Sequence, residues 1–194
     1  MARSPRCAAL VGPYGSGKSA LFDAMLAAAG AAPRRAPNGR AAELRTGQCG
    51  YLDDPWTILD CPGSVELLHT SACALAAADI AVLVVDPAPE RAAMAAPFLR
   101  LVEESGTPAV VLIHKVDALD ARVRDVVEAL QAHTPRRLLL RQVPWREAGR
   151  VVGYLDLVSE RAWRYRDGAA SEPAPMPDAL RGRGTEARAA LAEA

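Results

Sequence analysis

Hydrophobic runs and glycine-rich breaks alternate along this chain in a way that predicts strands and helices in turn. Cys7–Val11 is a short apolar run that stops at the loop Gly12–Gly17, and Ala20–Leu26 behind it has helical spacing closed by Gly30. Residues Ala31–Gly47, rich in Pro, Arg and Gly, show no period and read as loop. Cys49–Leu52 is a weak strand and Trp56–Asp60 a better one, ending at Cys61-Pro62-Gly63. Glu66–Ala78 reads as a helix. Ile80–Val85, an almost unbroken β-branched run ending at Asp86, has the pattern of a parallel strand buried on both faces. A helix over Arg91–Glu104 with Gly106 as its stop, a second buried strand at Ala109–Ile113 and a helix over Asp120–Ala132 complete the alternation. Strand–helix alternation predicts an α/β fold with a mostly parallel, doubly wound sheet, whose ligands bind at the carboxyl ends of the strands.

The pattern changes near Pro135. Arg137–Val143 and Val151–Val158 read as strands joined by a turn around Trp145–Gly149. A Pro/Gly linker, Asp167–Pro177, follows, and Asp178 caps a weakly amphipathic helix running to the end. The expected organisation is a domain over 1–134 and a small α+β piece over 135–194. No internal repeat is present.

Composition narrows the function. The chain has 194 residues, 51% hydrophobic and 24% charged, with 23 basic residues against 23 acidic, so it lacks the basic surplus of a general nucleic-acid binder and no DNA partner is expected. The four cysteines (Cys7, Cys49, Cys61, Cys73) have neither zinc nor redox spacing and read as reduced, mostly buried thiols of a cytoplasmic protein. Met1–Arg6 is followed by too short an apolar run for a signal peptide, and Ala72–Val85 is too short, and broken by Asp79, to span a bilayer, so no membrane partner is expected. Only two lysines occur, Lys18 and Lys115; every other basic residue is arginine. Where arginine is the default, a lysine marks a place its planar fork does not suit.

Both lysines fall in phosphate- or base-reading motifs. Gly12-Pro13-Tyr14-Gly15-Ser16-Gly17-Lys18-Ser19 matches G-x-x-x-x-G-K-[ST] between a predicted strand and a predicted helix. Its glycines let backbone N–H groups turn inward on phosphate oxygens, Lys18 reaches the β- and γ-phosphates, and the Ser19 hydroxyl can ligate Mg²⁺. Asp60-Cys61-Pro62-Gly63 follows a strand of the same sheet: Asp60 would hold Mg²⁺ through water, and the Gly63 N–H could reach a γ-phosphate. His114-Lys115-Val116-Asp117, one residue away from [N/T]-K-x-D, ends another strand; the Asp117 carboxylate can accept from guanine N1–H and its exocyclic amine, with the Lys115 stem along the base. His69 and His133 read as exposed or helix-facing, Trp56, Trp145 and Trp163 as packing residues, Asp53-Asp54 as a solvated turn and Asp86 as a capping residue.

In this order the three motifs resemble the guanine-nucleotide-binding domain of translational GTPases, above all elongation factor G and its elongation-factor-G-like relatives. The resemblance extends through Gln142-Val143-Pro144, Gly153–Val158, Glu160–Trp163 and the final helix with Glu186–Ala194, which are similar to a subdomain inserted in that family's G domain. It implies a P-loop NTPase fold and a GTP site lined by Gly12, Pro13, Tyr14, Gly15, Ser16, Gly17, Lys18, Ser19, Ala20, Asp60, Cys61, Pro62, Gly63, His114, Lys115 and Asp117. It also implies Mg²⁺ at Ser19 and, through water, at Asp60, catalysis by Lys18, Gly63 and weakly Ser64, and the ribosome as partner. Three departures matter, the first putting fast hydrolysis in question and the last loosening the guanine pocket. Ser64 stands where the family has a water-orienting histidine, Ala41 or Ala42 where it has a switch threonine (Thr46 being the nearby hydroxyl), and His114 where it has an asparagine. The reading is a GTPase that hydrolyses GTP slowly; its rivals are a GTP/GDP-binding module without turnover, and a P-loop kinase or ATPase. The family's last G-domain strand, guanine-contacting S-A loop and ribosome-engaging domains find no match, so the chain is expected to be a piece of a longer factor, with Ala109–Ile113 left as a sheet edge.

Overall fold

The computed structural model describes residues 6–31, 43–118 and 122–192. Packing divides the chain into two compact units, one of residues 1–86 and 90–114, the other of residues 87–89 and 115–194.

The first unit is a five-stranded sheet in the order β2-β3-β1-β4-β5, where β1 is Arg6–Val11, β2 Arg45–Tyr51, β3 Asp54–Asp60, β4 Ile80–Val85 and β5 Ala109–Ile113. All neighbours are parallel except the antiparallel pair β2/β3. Helices α1 (Lys18–Ala28), α2 (Leu68–Ala76) and α3 (Ala96–Ser105) supply the outer layers. Alternation along β1 sends Ala8 and Leu10 into a core with Phe22, Leu26 and Ile58, while Ala9 and Val11 fill the opposite face. Gly47 of β2 fits there because a Cβ would lie 2.6 Å from Leu26 Cδ1. β1 has a parallel neighbour on each side, so the connections leaving its end and that of β3 open a crevice there, the place where such sheets hold ligands.

The second unit is an antiparallel meander, β6 (Gln142–Glu147), β7 (Arg150–Asp156), β8 (Arg161–Arg166) and β9 (Ala169–Ala174), covered by α5 (Asp178–Ala192); α4 (Val123–Gln131) belongs to the same unit. Trp145, Leu155, Leu157 and Leu180 form its core. Among the described residues no helix is long and apolar enough to cross a membrane.

Several elements depart from the sequence reading. β2 begins at Arg45, inside a stretch expected to be loop, because β3 pairs with it along its whole length, from Arg45 opposite Asp60 to Tyr51 opposite Asp54. The β2–β3 turn uses Leu52 and Asp53 at φ +50° and +62°, without the glycine that normally marks such a hairpin. Asp54 is no solvated turn residue: it is buried and paired with Arg6 at 3.0 Å. The helix expected from Glu66 opens with a 3-10 turn, Val65–Leu67, and that expected from Arg91 becomes fully α-helical only at Ala96, with Pro97 in a first turn that can spare its N–H. β5 is the described sheet's edge, and Ala109 and Val110 are exposed rather than buried. Residues 137–141 are not strand: Gln131 binds this stretch through its side chain, accepting from Leu138 N at 2.8 Å and donating to Arg136 O at 2.9 Å. Trp145–Glu147 lie in β6, leaving Ala148-Gly149 as the turn, and the expected linker contains β9, an edge strand where Pro173 does no harm. The expected positions of Ala41 and Ala42, and the start of the helix expected at Asp120, lie outside the described residues.

Candidate nucleotide site

The loop after β1 is shaped by three glycines in the left-handed region, Gly12 (φ +137°), Gly15 (+79°) and Gly17 (+101°). Gly12 is also a close approach, since a Cβ would lie 2.2 Å from the Val84 carbonyl oxygen of β4. α1 starts at Lys18, so its first-turn N–H groups face the loop. The Lys18 side chain is buried and curls back, its ammonium donating to Gly12 O at 2.7 Å and Pro13 O at 2.9 Å. Burial pushes its pKa down, against the pull of the Asp60 carboxylate and of Cys61.

Asp60, at the end of β3, is buried, and burial pushes its carboxyl up against the opposing effects of the Ser19 hydroxyl, Arg45 and Lys18. Its Oδ1 is buried with no hydrogen-bond partner, while Oδ2 accepts from Arg45 Nη1 at 3.4 Å. The Asp60–Gly63 loop is fastened to the phosphate loop at two points: Cys61 N donates to Leu10 O at 3.0 Å and Tyr14 N to Gly63 O at 2.9 Å. A Cβ on Gly63 would lie 2.6 Å from Tyr14 N and 2.8 Å from Lys18 Nζ, so only glycine fits this approach. Pro62 is buried beside it, and burial pushes the Cys61 thiol up to about 12, which makes it inert at neutral pH; of the cysteines expected to be mostly buried, Cys7 and Cys49 are half-buried and Cys73 is exposed. Ser64 caps the following 3-10 turn, its Oγ accepting from Glu66 N at 3.3 Å.

Lys18, Ser19, Asp60 and Gly63 are thus brought together, and Tyr14 and Ala20 are exposed at the loop and the first turn of α1. His114, ending β5, donates its backbone N–H to Val85 O at 3.0 Å. Its ring lies against Gly17, where a Cβ would sit 2.4 Å from Nδ1. That nitrogen is buried with no partner, so the ring meets the phosphate loop by packing where an asparagine would offer a hydrogen bond. Lys115 follows with φ +55°; in the second unit the 3-10 turn Val116–Ala118 carries Asp117, and Arg146 Nη2 donates to Val116 O at 2.7 Å.

Two arginines escaped the sequence reading. Arg45 faces the Asp60 side, and by alternation Thr46 faces away from it, so Thr46 is not the hydroxyl of this site. Arg91 donates to Asp86 at 2.8 Å, so Asp86 anchors that arginine, and Arg91 Nη2 lies 3.6 Å from where a Gly15 Cβ would be. Of the described histidines and tryptophans, His69 and His133 are exposed, Trp56 stacks under Arg6 and Trp145 is core.

The family model described as the elongation factor Tu GTP binding domain matches residues 36–171, starting beyond the phosphate loop. An elongation factor G-like protein of Synechocystis is 31% identical, across 98% of this chain and 31% of its own length. A crystal structure from Thermus thermophilus superposes with a TM-score of 0.81 at 27% identity, covering 97% of this chain and 30% of that one. The chain therefore spans about three-tenths of the length of these relatives. With the phosphate loop, the docked Asp60–Gly63 loop and the mostly parallel sheet on which both stand, this chain has the P-loop NTPase fold and belongs to the elongation factor Tu GTP-binding domain family, as an elongation-factor-like GTP-binding domain.

Proposed function

We propose that this domain binds GTP and GDP with Mg²⁺ and hydrolyses GTP slowly to GDP and phosphate. The observation that carries the reading is the convergence of Lys18, Ser19, Asp60 and Gly63 at the carboxyl ends of β1 and β3. Phosphate oxygens take over the donors now spent internally, the Lys18 ammonium and the Tyr14 N–H, with the remaining N–H groups of residues Gly12–Ala20 around them. The buried, unpartnered Oδ1 of Asp60 next to the Ser19 hydroxyl suits a hydrated Mg²⁺, with Ser19 as direct ligand and Asp60 accepting from a bound water. Bound there, Mg²⁺ would neutralise charge on the β- and γ-phosphates. Lys18 then stabilises the charge that develops on the transferred group, and Gly63 positions its loop against it.

Asp117 and Lys115 select guanine on the strength of their motif, Asp117 accepting from N1–H and the exocyclic amine. Ser64 carries no imidazole to orient water, and its hydroxyl already caps a turn, which supports slow hydrolysis. The same observation favours the second reading, a guanine-nucleotide module without turnover. For the whole protein, a ribosomal partner and a cytoplasmic setting follow from its likeness to an elongation factor G-like protein. Fluorescent GDP titrated in Mg²⁺ buffer and competed with GTP, GDP and ATP tests the reading. Displacement by guanine nucleotides alone, weakened at least about tenfold in Asp117→Ala, is expected. Equal competition by ATP would replace the reading with a kinase or ATPase; phosphate release under saturating GTP separates slow turnover from none.

A further inference from the structure

Arg45 occupies a position that neither the sequence motifs nor the family match assigns a role. It opens β2 directly opposite Asp60 in the ladder. Its guanidinium lies 4.5 Å from the centre of the Phe22 ring and forks between two acids: Nη2 donates to Asp23 Oδ1 at 2.5 Å, and Nη1 to Asp60 Oδ2 at 3.4 Å. The side chain is only 19% exposed, Asp60's 4%, and the other Asp60 oxygen has no partner. One fork thus covers half of the carboxylate that stands beside Ser19 and leaves the other half buried without a partner.

We propose that Arg45 is a resident counter-cation of the divalent-ion site: it neutralises Asp60 when Mg²⁺ is away and competes with it when present, so that guanine nucleotide is held with a muted need for Mg²⁺. The inference rests on the nucleotide-binding reading above. A buried carboxylate at the end of β3 repels a diphosphate placed at the adjoining phosphate loop unless a cation stands between or beside them. With Lys18 committed to the phosphate loop, Arg45 is the cation that the fold places on Asp60 itself. Its anchorage is elsewhere, in the short Asp23 contact and the stack on Phe22, so the longer Asp60 contact can loosen without unseating the side chain. A lysine lacks the planar fork that reaches both acids while stacking on Phe22.

The test measures fluorescent GDP affinity in Mg²⁺ and in EDTA for the 194-residue chain and its variants, with the ratio of the two as readout. Arg45→Met keeps the apolar stem over Phe22 and removes the charge. The ratio is expected to rise about tenfold, chiefly through weaker binding in EDTA, the size of one charge-assisted hydrogen bond. Arg45→Lys is expected to give a smaller rise, and it carries the test should Arg45→Met fail to fold. Asp23→Asn, at a half-exposed site, frees Arg45 from α1 and is expected to leave the ratio at or below the wild-type value. A merely structural bridge predicts lower melting temperatures for Arg45→Met and Asp23→Asn alike with the ratio unmoved, and that result overturns the inference while leaving nucleotide binding intact. Wild-type chain that binds no GDP in Mg²⁺ overturns the nucleotide reading and this inference with it.

Discussion

Replacing Gly12 by alanine separates what the phosphate loop needs in space from what it needs in backbone conformation. Gly12 sits at φ +137°, and a Cβ there would stand 2.2 Å from the Val84 carbonyl oxygen and 3.2 Å from its carbon. The obstacle is backbone, held in the β1/β4 ladder by the pairing of Val11 with Leu83, so no side chain can swing away to relieve it. The end of β1 must move by roughly 1 Å. The left-handed conformation costs about 1–2 kcal/mol for an L-residue and the overpacking about 1–3 kcal/mol more. At about 2–4 °C per kcal/mol for a protein of this size, the combined cost of about 2–5 kcal/mol lowers the melting temperature by about 4–20 °C. Gly30→Ala is the matched control: φ is +71°, nothing lies within 4 Å of a Cβ, and the conformational cost alone predicts a drop of about 2–8 °C. Gly17→Ala falls between, because its obstacle is the His114 ring, which can rotate. Thermal melts followed by circular dichroism under one set of conditions give the order directly. Gly12→Ala melting within about 2 °C of wild type, or no higher in cost than Gly30→Ala, would show that the Val84 approach does not constrain the loop.

Two further predictions concern charge. Lys18→Met removes a cation whose burial pushes its pKa down, so the melting temperature is expected to hold or rise while guanine-nucleotide affinity falls at least about tenfold; a variant that melts lower and still binds would refute the site assignment. In the second unit, burial pushes the Asp156 carboxyl up, but the Ser159 N–H and hydroxyl, the Val158 N–H and Arg141 outweigh it, and its pKa ends below the ordinary 3.8. A depressed carboxyl contributes stability above its unfolded pKa and loses it as pH falls through the folded value, so Asp156→Asn is expected to flatten the acid limb of the melting profile below about pH 4. Parallel profiles for variant and wild type would refute it.

The parts of this fold legible in the sequence are those whose residues are dictated locally. Val84 and Val85 are β-branched because they stand in a strand with neighbours on both sides, and Gly12, Gly15 and Gly17 are glycines because the loop turns through left-handed conformations. The rest depends on partners that spacing does not reveal. Arg45-Thr46-Gly47-Gln48 has no strand-like composition, and β3 recruits it into the sheet. β9 tolerates Pro173 only because it is an edge. Ala109–Ile113 has the composition of a buried strand, but its exposure follows from having a described neighbour on one side alone. Arg45 was hidden for the same reason: a residue assigned to a loop has no face, and only the extended β2 gives it one.

The same distinction explains how the site can stand without ligand-bound partners for its polar groups. Three of the groups expected to meet phosphate or metal have an internal substitute: Lys18 donates to Gly12 O and Pro13 O, the Tyr14 N–H to Gly63 O, and Asp60 Oδ2 accepts from Arg45, while Asp60 Oδ1 has no partner. Nucleotide binding is therefore an exchange of partners, and an exchange of one hydrogen bond for another yields little net free energy. On the proposed reading the surplus would come from charge, since neutral carbonyls would give up a buried ammonium to phosphate anions and a monovalent guanidinium would share Asp60 with a divalent ion. By this argument affinity should track the charge state of the ligand, so GDP should bind far more tightly than GMP, whose single phosphate engages fewer of these donors. Equal competition by GMP and GDP against fluorescent GDP would show that the phosphate loop contributes nothing to binding.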